Sequence, residues 1–244
     1  MIPLRDINPT RRFPLATVVL IAVNVLVFAY QSSLPRRGFT AFVFEYGMTP
    51  EAVTGNFSQY AYTFVTSMFL HGDWLHVGSN MLYLWIFGNN IEDRLGILRF
   101  VLFYFVTGFV AAGTQIAIDP QSQVPMIGAS GAIAGVLGAY LMLFPNAKVQ
   151  TLLIFFFFVR IVEVSAVWLL GWWFLLQVLY GFSSLTALEM GGVAFFAHIG
   201  GFAAGWVLIR FFAVGRPDRR RAREDLFTQS ADDIFQRRND RWWK

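Results

Sequence analysis

Met126–Phe144 reads MIGASGAIAGVLGAYLMLF. It holds one serine, Ser130, set between Gly128 and Gly131 where an apolar helix is expected to begin. Two other stretches answer it: HVGSN, with His76 and Asn80, and AHIGG, with His198. The three segments together read as a serine nucleophile, a histidine base and an oxyanion clamp carried on apolar helices inside a membrane.

Outward from this stretch, composition sets the class. Of 244 residues, 56% are hydrophobic and 14% charged, where a soluble domain carries about 25% charged residues. Mean hydropathy is +0.53, and several runs approach the roughly 20 apolar residues of a spanning helix. With no cysteine there is no disulfide framework, thiolate nucleophile or thiolate metal site. The net charge of +4 is unevenly spread. In a membrane chain this is first a topology signal, and no nucleic-acid partner is read from it. The run Phe13–Tyr30 is too long for a signal-peptide core and no small-residue cleavage site follows it, so it is expected to be retained.

The expected fold class is an all-α polytopic membrane protein. The chain divides into a polar head, 1–12, a six-span membrane domain, 13–213, and a basic tail, 214–244. The spans are expected at about 13–31, 74–91, 99–118, 130–144, 164–181 and 193–213. A long interfacial loop, 32–72, joins the first two. Residues 146–163 are expected as an interfacial excursion, apolar but broken by Arg160 and Glu163. With the head placed inside, the head, the 94–99 turn, the 146–163 segment and the stretch from Arg210 onward hold every Lys and Arg except Arg36 and Arg37. The positive-inside rule then puts both termini in the cytoplasm, which predicts an inner-membrane protein. The RRRAR run at 219–223 and Trp242-Trp243 of the tail are expected as a solvated anchor or a lipid-headgroup contact.

Topology fixes depth, since a helix rises about 1.5 Å per residue. From their cytoplasmic anchors His76 stands about 24 Å up, Ser130 about 22 Å, and Asn80 and His198 about 18 Å each. In a hydrocarbon core about 30 Å thick all four fall in one layer of the outer half, with His71 just beyond it. Polar groups at such depth are functional candidates by default.

Ser130 is expected in the first turn of its helix, where unpaired N–H groups and the helix dipole favour an oxyanion. Gly128 and Gly131 let the backbone approach a substrate carbonyl. His198 can act as base to Ser130. Gly201 and Gly205, with Gly131, Gly135 and Gly138, make small faces for close helix contact. His76 and Asn80, four apart, share a helix face as donors to an oxyanion. No carboxylate lies at this depth, so a dyad is expected, its imidazole held by packing. Each feature also has a plainer use: Ser130 as a helix cap, the glycines as packing, His76 with Asn80 as an interhelical bond, and the three histidines as a metal set, against which stands the lack of a cysteine or carboxylate at that depth to complete or support it. The conjunction favours catalysis over a metal site.

These motifs resemble the rhomboid family of intramembrane serine proteases: HVGSN (His76, Asn80), EDRLG (Glu92, Arg94, Gly96), GASG (Gly128, Ser130, Gly131) and AHIGGFAAG (His198, Gly201, Gly205), in that order. The resemblance implies a bacterial-type six-helix bundle and a Ser130–His198 dyad. It also implies an oxyanion site of His76, Asn80 and the amides of Ser130 and Gly128, with Glu92 and Arg94 structural. Implied too are cofactor-free cleavage of peptide bonds in or near the transmembrane helices of protein substrates, and small residues favoured on the acyl side. Two positions depart from the family's pattern. Residues 32–72 lack the Trp-Arg pair many members carry, and Ala134 stands where some members place a tyrosine beneath the histidine.

Substrate entry is expected between the second and fifth spans, with Trp168–Trp173 as a lateral gate and Gly191-Gly192 as the hinge of a cap. The alternative is a catalytically silent member of the same fold that binds or escorts membrane proteins. A proton-coupled transporter ranks last, because paired midplane acids and half-helix repeats are missing. The natural substrate, regulation and oligomeric state are not encoded in any motif.

Overall fold

The computed structural model describes residues 1–155, 158–184 and 194–215. Gly191-Gly192 and the tail from residue 216, to which a hinge and an anchor were assigned above, lie outside the described residues.

Strand β1 (Ile2–Asp6) precedes helix α1 (Leu15–Ser33). The segment after α1 folds into four short helices, α2 (Arg36–Tyr46), α3 (Pro50–Gly55), α4 (Phe57–Tyr60) and α5 (Thr63–Thr66), and a 3-10 turn, Ser67–Phe69. Pro50 opens α3, where its missing N–H costs no bond, and the Asn56 side chain caps α4. Helix α6 (Trp74–Tyr83) runs through a π-helical turn, Leu84–Gly88, into α7 (Asn89–Leu95). Gly96, at φ 77°, ends α7 in a conformation that only glycine takes freely. Then come α8 (Ile97–Ile118), α9 (Ser130–Leu143), strands β2 (Lys148–Phe155) and β3 (Phe158–Ser165), α10 (Ala166–Ser184) and α11 (Phe195–Phe212). Among the described residues α1, α8, α10 and α11 are each long and apolar enough to cross a membrane; α9 is apolar but shorter. The chain is a multi-pass membrane protein.

Helix α9 is the axis of the bundle. Every residue from Ala132 to Tyr140 is buried, as expected of a helix apolar on all sides. It packs chiefly on α11 and α8, at backbone contact. A Cβ on Gly201 would strike the Gly131 carbonyl oxygen, and one on Gly205 the Gly135 backbone. Glu92 ties α7 to α1. Its buried carboxylate accepts from the Ala16 N–H (2.9 Å), the Thr17 N–H (2.8 Å) and the Thr17 hydroxyl (2.8 Å). These are first-turn donors with no partner inside α1, and the helix dipole favours a negative group there. Arg94 is half-buried in the last turn of α7.

Two expectations need correction. The fold is not all-α: β1, β2 and β3 form a three-stranded antiparallel sheet. Most of the stretch expected as an interfacial excursion is strand: residues 148–155 and 158–165 pair antiparallel. Arg160 pairs with Leu153 and Glu163 with Gln150, so the charges that break the apolar run occupy ordinary paired strand positions, both exposed. Nor is the 1–12 head separate from the membrane domain. It supplies β1, and Asp6 accepts from Asn90 Nδ2 (2.7 Å) and the Tyr140 hydroxyl (2.8 Å).

Candidate active site

Ser130 opens α9, and its position is set from the N-terminal side by the segment between α1 and α6. Met48 and Met126 exchange backbone hydrogen bonds (3.0 and 2.8 Å), and the Gly128 N–H donates to the Ser67 carbonyl (2.9 Å). From the other side, close packing of α9 on α11 brings His198 within reach. Ser130 Oγ lies 2.8 Å from His198 Nε2. Both residues are half-buried.

His76 sits one turn into α6, whose first turn is capped by Asp73 accepting from the His76 N–H (2.8 Å). Its Nδ1 accepts from the Gly72 N–H (3.3 Å), which leaves the proton of the neutral ring on Nε2. That nitrogen faces Gly128: a Cβ built there would stand 2.9 Å from His76 Nε2 and 3.6 Å from Ser130 Oγ. Gly128 has φ 122°, so both its conformation and its lack of a side chain admit the imidazole. Asn80 is buried, and its Nδ2 has no hydrogen-bond partner among the described residues. Two donors, from His76 and Asn80, therefore stand on one face of α6.

One assignment changes. The Gly128 amide, expected in the oxyanion site, is spent on Ser67; Gly128 contributes space for His76 instead. His71 is fully buried and its ring stands 4.9 Å from that of His76. Gln31 reads its backbone twice, Nε2 to the carbonyl (2.7 Å) and Oε1 from the N–H (3.2 Å). Burial, and secondarily the neighbouring His76, push the His71 pKa down to about 4. Among the described residues no three His, Asp or Glu side chains converge as a metal set would.

On α10 one residue escaped the sequence reading and another was given a different place. Gln177 Oε1 lies 2.8 Å from His198 Nδ1, and the Trp173 ring lies beside the imidazole, centroids 5.9 Å apart at 37°. Trp173, read as part of a gate, thus faces inward, while Trp168 and Trp172 are exposed. The signal was present: Gln177 is the lone amide in the apolar run 166–181, and a polar group there is suspect by default. It was passed over because it is uncharged.

A multi-pass bundle with a serine–histidine pair inside it defines a narrow class of membrane protein. A rhomboid domain profile matches residues 58–214, and the chain belongs to the rhomboid family. It is 31% identical over 163 residues to rhomboid protein 1, mitochondrial, of Saccharomyces cerevisiae, covering 65% of this chain but 44% of the yeast protein. It is 27% identical over 158 residues to the putative rhomboid protease YdcA of Bacillus subtilis, covering 64% of this chain and 69% of that one. With the rhomboid protease GluP of the same bacterium it shares 38% identity over 77 residues, 32% of this chain and 15% of GluP. The chain thus spans less than half the length of the yeast relative and a larger share of YdcA. The family includes serine proteases that act on membrane proteins within the bilayer.

Proposed function

We propose that this chain is an intramembrane serine endopeptidase that cleaves peptide bonds in or near the transmembrane segments of other proteins. The observation that carries the reading is the 2.8 Å approach of Ser130 Oγ to His198 Nε2 beside two donors on α6. In the proposed reaction Ser130 Oγ attacks the scissile carbonyl carbon and passes its proton to His198 Nε2. The developing oxyanion takes hydrogen bonds from His76 Nε2, Asn80 Nδ2 and the Ser130 amide, each good donor being worth roughly 3–4 kcal/mol. The C–N bond breaks and His198 protonates the leaving amine. Water then attacks the acyl ester, with His198 again taking the proton, and Ser130 is regenerated. A substrate helix must unwind at the cleaved bond, so spans with Gly or Pro should be preferred.

The proposed topology is six crossings, with α6–α7 acting as one span and α9 as a short one, and both termini cytoplasmic at the inner membrane. The sheet supports this. β1 precedes α1 and the hairpin lies between α9 and α10, so their pairing holds those two chain regions at one end of the bundle. An even number of crossings between them is required.

The test is fluorophosphonate labelling of the detergent-purified chain, with Ser130→Ala and His198→Ala variants, beside cleavage of a reporter transmembrane substrate. Labelling that disappears in both variants supports the reading. A folded wild type that neither labels nor cleaves would sink it and leave the escort function.

A further inference from the structure

The contacts around His198 determine which of its nitrogens can act as a base. Nε2 and Nδ1 each have one partner, Ser130 Oγ and Gln177 Oε1, both at 2.8 Å. A neutral imidazole carries a proton on only one nitrogen. If Nε2 is to accept the Ser130 proton, Nδ1 must be the N–H, and its partner must be an acceptor. Gln177 is an acceptor only in one of its two amide orientations. That orientation is set by a second contact: Gln177 Nε2 donates to the Trp173 carbonyl (3.4 Å), which can only accept. The reversed amide would set carbonyl against carbonyl and NH2 against Nδ1. The imidazole proton would then move to Nε2 and face Ser130.

We propose that Gln177 is a positioning residue for His198, fixing the imidazole as the Nδ1–H tautomer with Nε2 bare toward Ser130. The proposal rests on the proteolytic reading of Ser130 and His198. Trp173 and Gln177 are four apart on α10 and share a face. One places its ring beside the imidazole while its carbonyl holds the amide, and the other holds the imidazole edge. Position 134, where some rhomboids place a tyrosine beneath the histidine, is an alanine; the ring beside His198 is Trp173 of α10. Gln177 is 9% exposed, and in so dry a setting a hydrogen bond is stronger and a missing one costlier. The arrangement does the orienting work of a triad's third member without placing a carboxylate in the membrane.

The test uses the full chain in micelles, labelled with ring-15N histidine. Only three histidines exist, and omitting signals one at a time with His71→Gln and His76→Gln assigns them. At pH 8 the expected His198 spectrum has a protonated Nδ1 and an unprotonated Nε2; a protonated Nε2 overturns the proposal without any Gln177 variant being made. Fluorophosphonate labelling of Ser130 should slow about 10- to 100-fold in Gln177→Leu, within the range for general-base effects. Gln177→Glu keeps an acceptor at Nδ1 and should recover most of that rate. Equal losses in both variants, or none in Gln177→Leu, overturn the proposal in favour of a packing role. A wild type with the expected tautomer but an unreactive Ser130 would uphold the Gln177 assignment while sinking the proteolytic reading.

Discussion

Gly205→Ala tests whether the active pair depends on backbone contact between α9 and α11. A Cβ at Gly205 would overlap the Gly135 carbonyl oxygen and stand 2.6 Å from the Gly135 Cα. Carbon atoms at rest sit about 3.5–4.0 Å apart, so the two helices must part by about 1 Å. The same two helices carry Ser130 and His198, whose 2.8 Å contact would stretch beyond the roughly 3.2 Å limit of a good hydrogen bond. A misplacement of about 1 Å can cost 100-fold in rate, and overpacking costs about 1–3 kcal/mol of stability. The assay is the second-order rate of fluorophosphonate labelling, paired with thermal unfolding in detergent. Gly113→Ala and Gly171→Ala are controls, because nothing lies within 4 Å of a Cβ at either site. A Gly205→Ala protein that labels at the wild-type rate and melts where the wild type does would refute the reasoning.

Other outcomes follow from the same geometry. Glu92→Ala strands three donors at the start of α1 and should destabilise by about 3–5 kcal/mol, whereas Thr17→Val, which removes one of the bonds, should cost about 1 kcal/mol; unfolding titrations compare them. Asn80→Ala should lower kcat on a reporter substrate about 100- to 1,000-fold with little change in KM, and a KM-only effect would remove Asn80 from the oxyanion role. His71 is held neutral by burial, with its pKa near 4 in the folded chain against about 6.5 unfolded. The unfolded chain therefore takes up a proton that the folded chain refuses, and stability present above pH 6.5 is lost as pH falls toward 4. His71→Phe should flatten that decline in melting temperature.

The helices were legible because their signal is long and one-dimensional. Runs such as 97–118 and 195–212 are long and mostly apolar, and Pro145 or Gly96 marks where a helix stops. Ser130 and His198 were legible through depth, since an anchored helix gives each residue a height. The sheet was not. β1 draws its meaning from β2, which lies far along the chain, and the apolar run broken by Arg160 and Glu163 read only as an interfacial excursion until the strands were paired. Gln177 was missed for a chemical reason. A neutral amide in an apolar run attracts less notice than a charge, yet it meets His198 from another helix through a contact that no local pattern encodes. The loss of the Gly128 amide to Ser67 is of the same kind, because only the folded chain brings those residues together.

The pairing of β1 with β2 also bears on the order in which the molecule is made. Asp6 meets Val149 and Ile2 meets Leu152, so β1 has no strand to pair with until α9 has been synthesised and the ribosome has reached the hairpin. Contacts so distant in sequence form late, because the intervening chain must be in place first. β1 is therefore a latch that cannot close until α1, α6 to α9 and β2 have all been made. Until then its unpaired edge is open to other strands, which makes the interval between α9 and the hairpin the most hazardous stage of assembly.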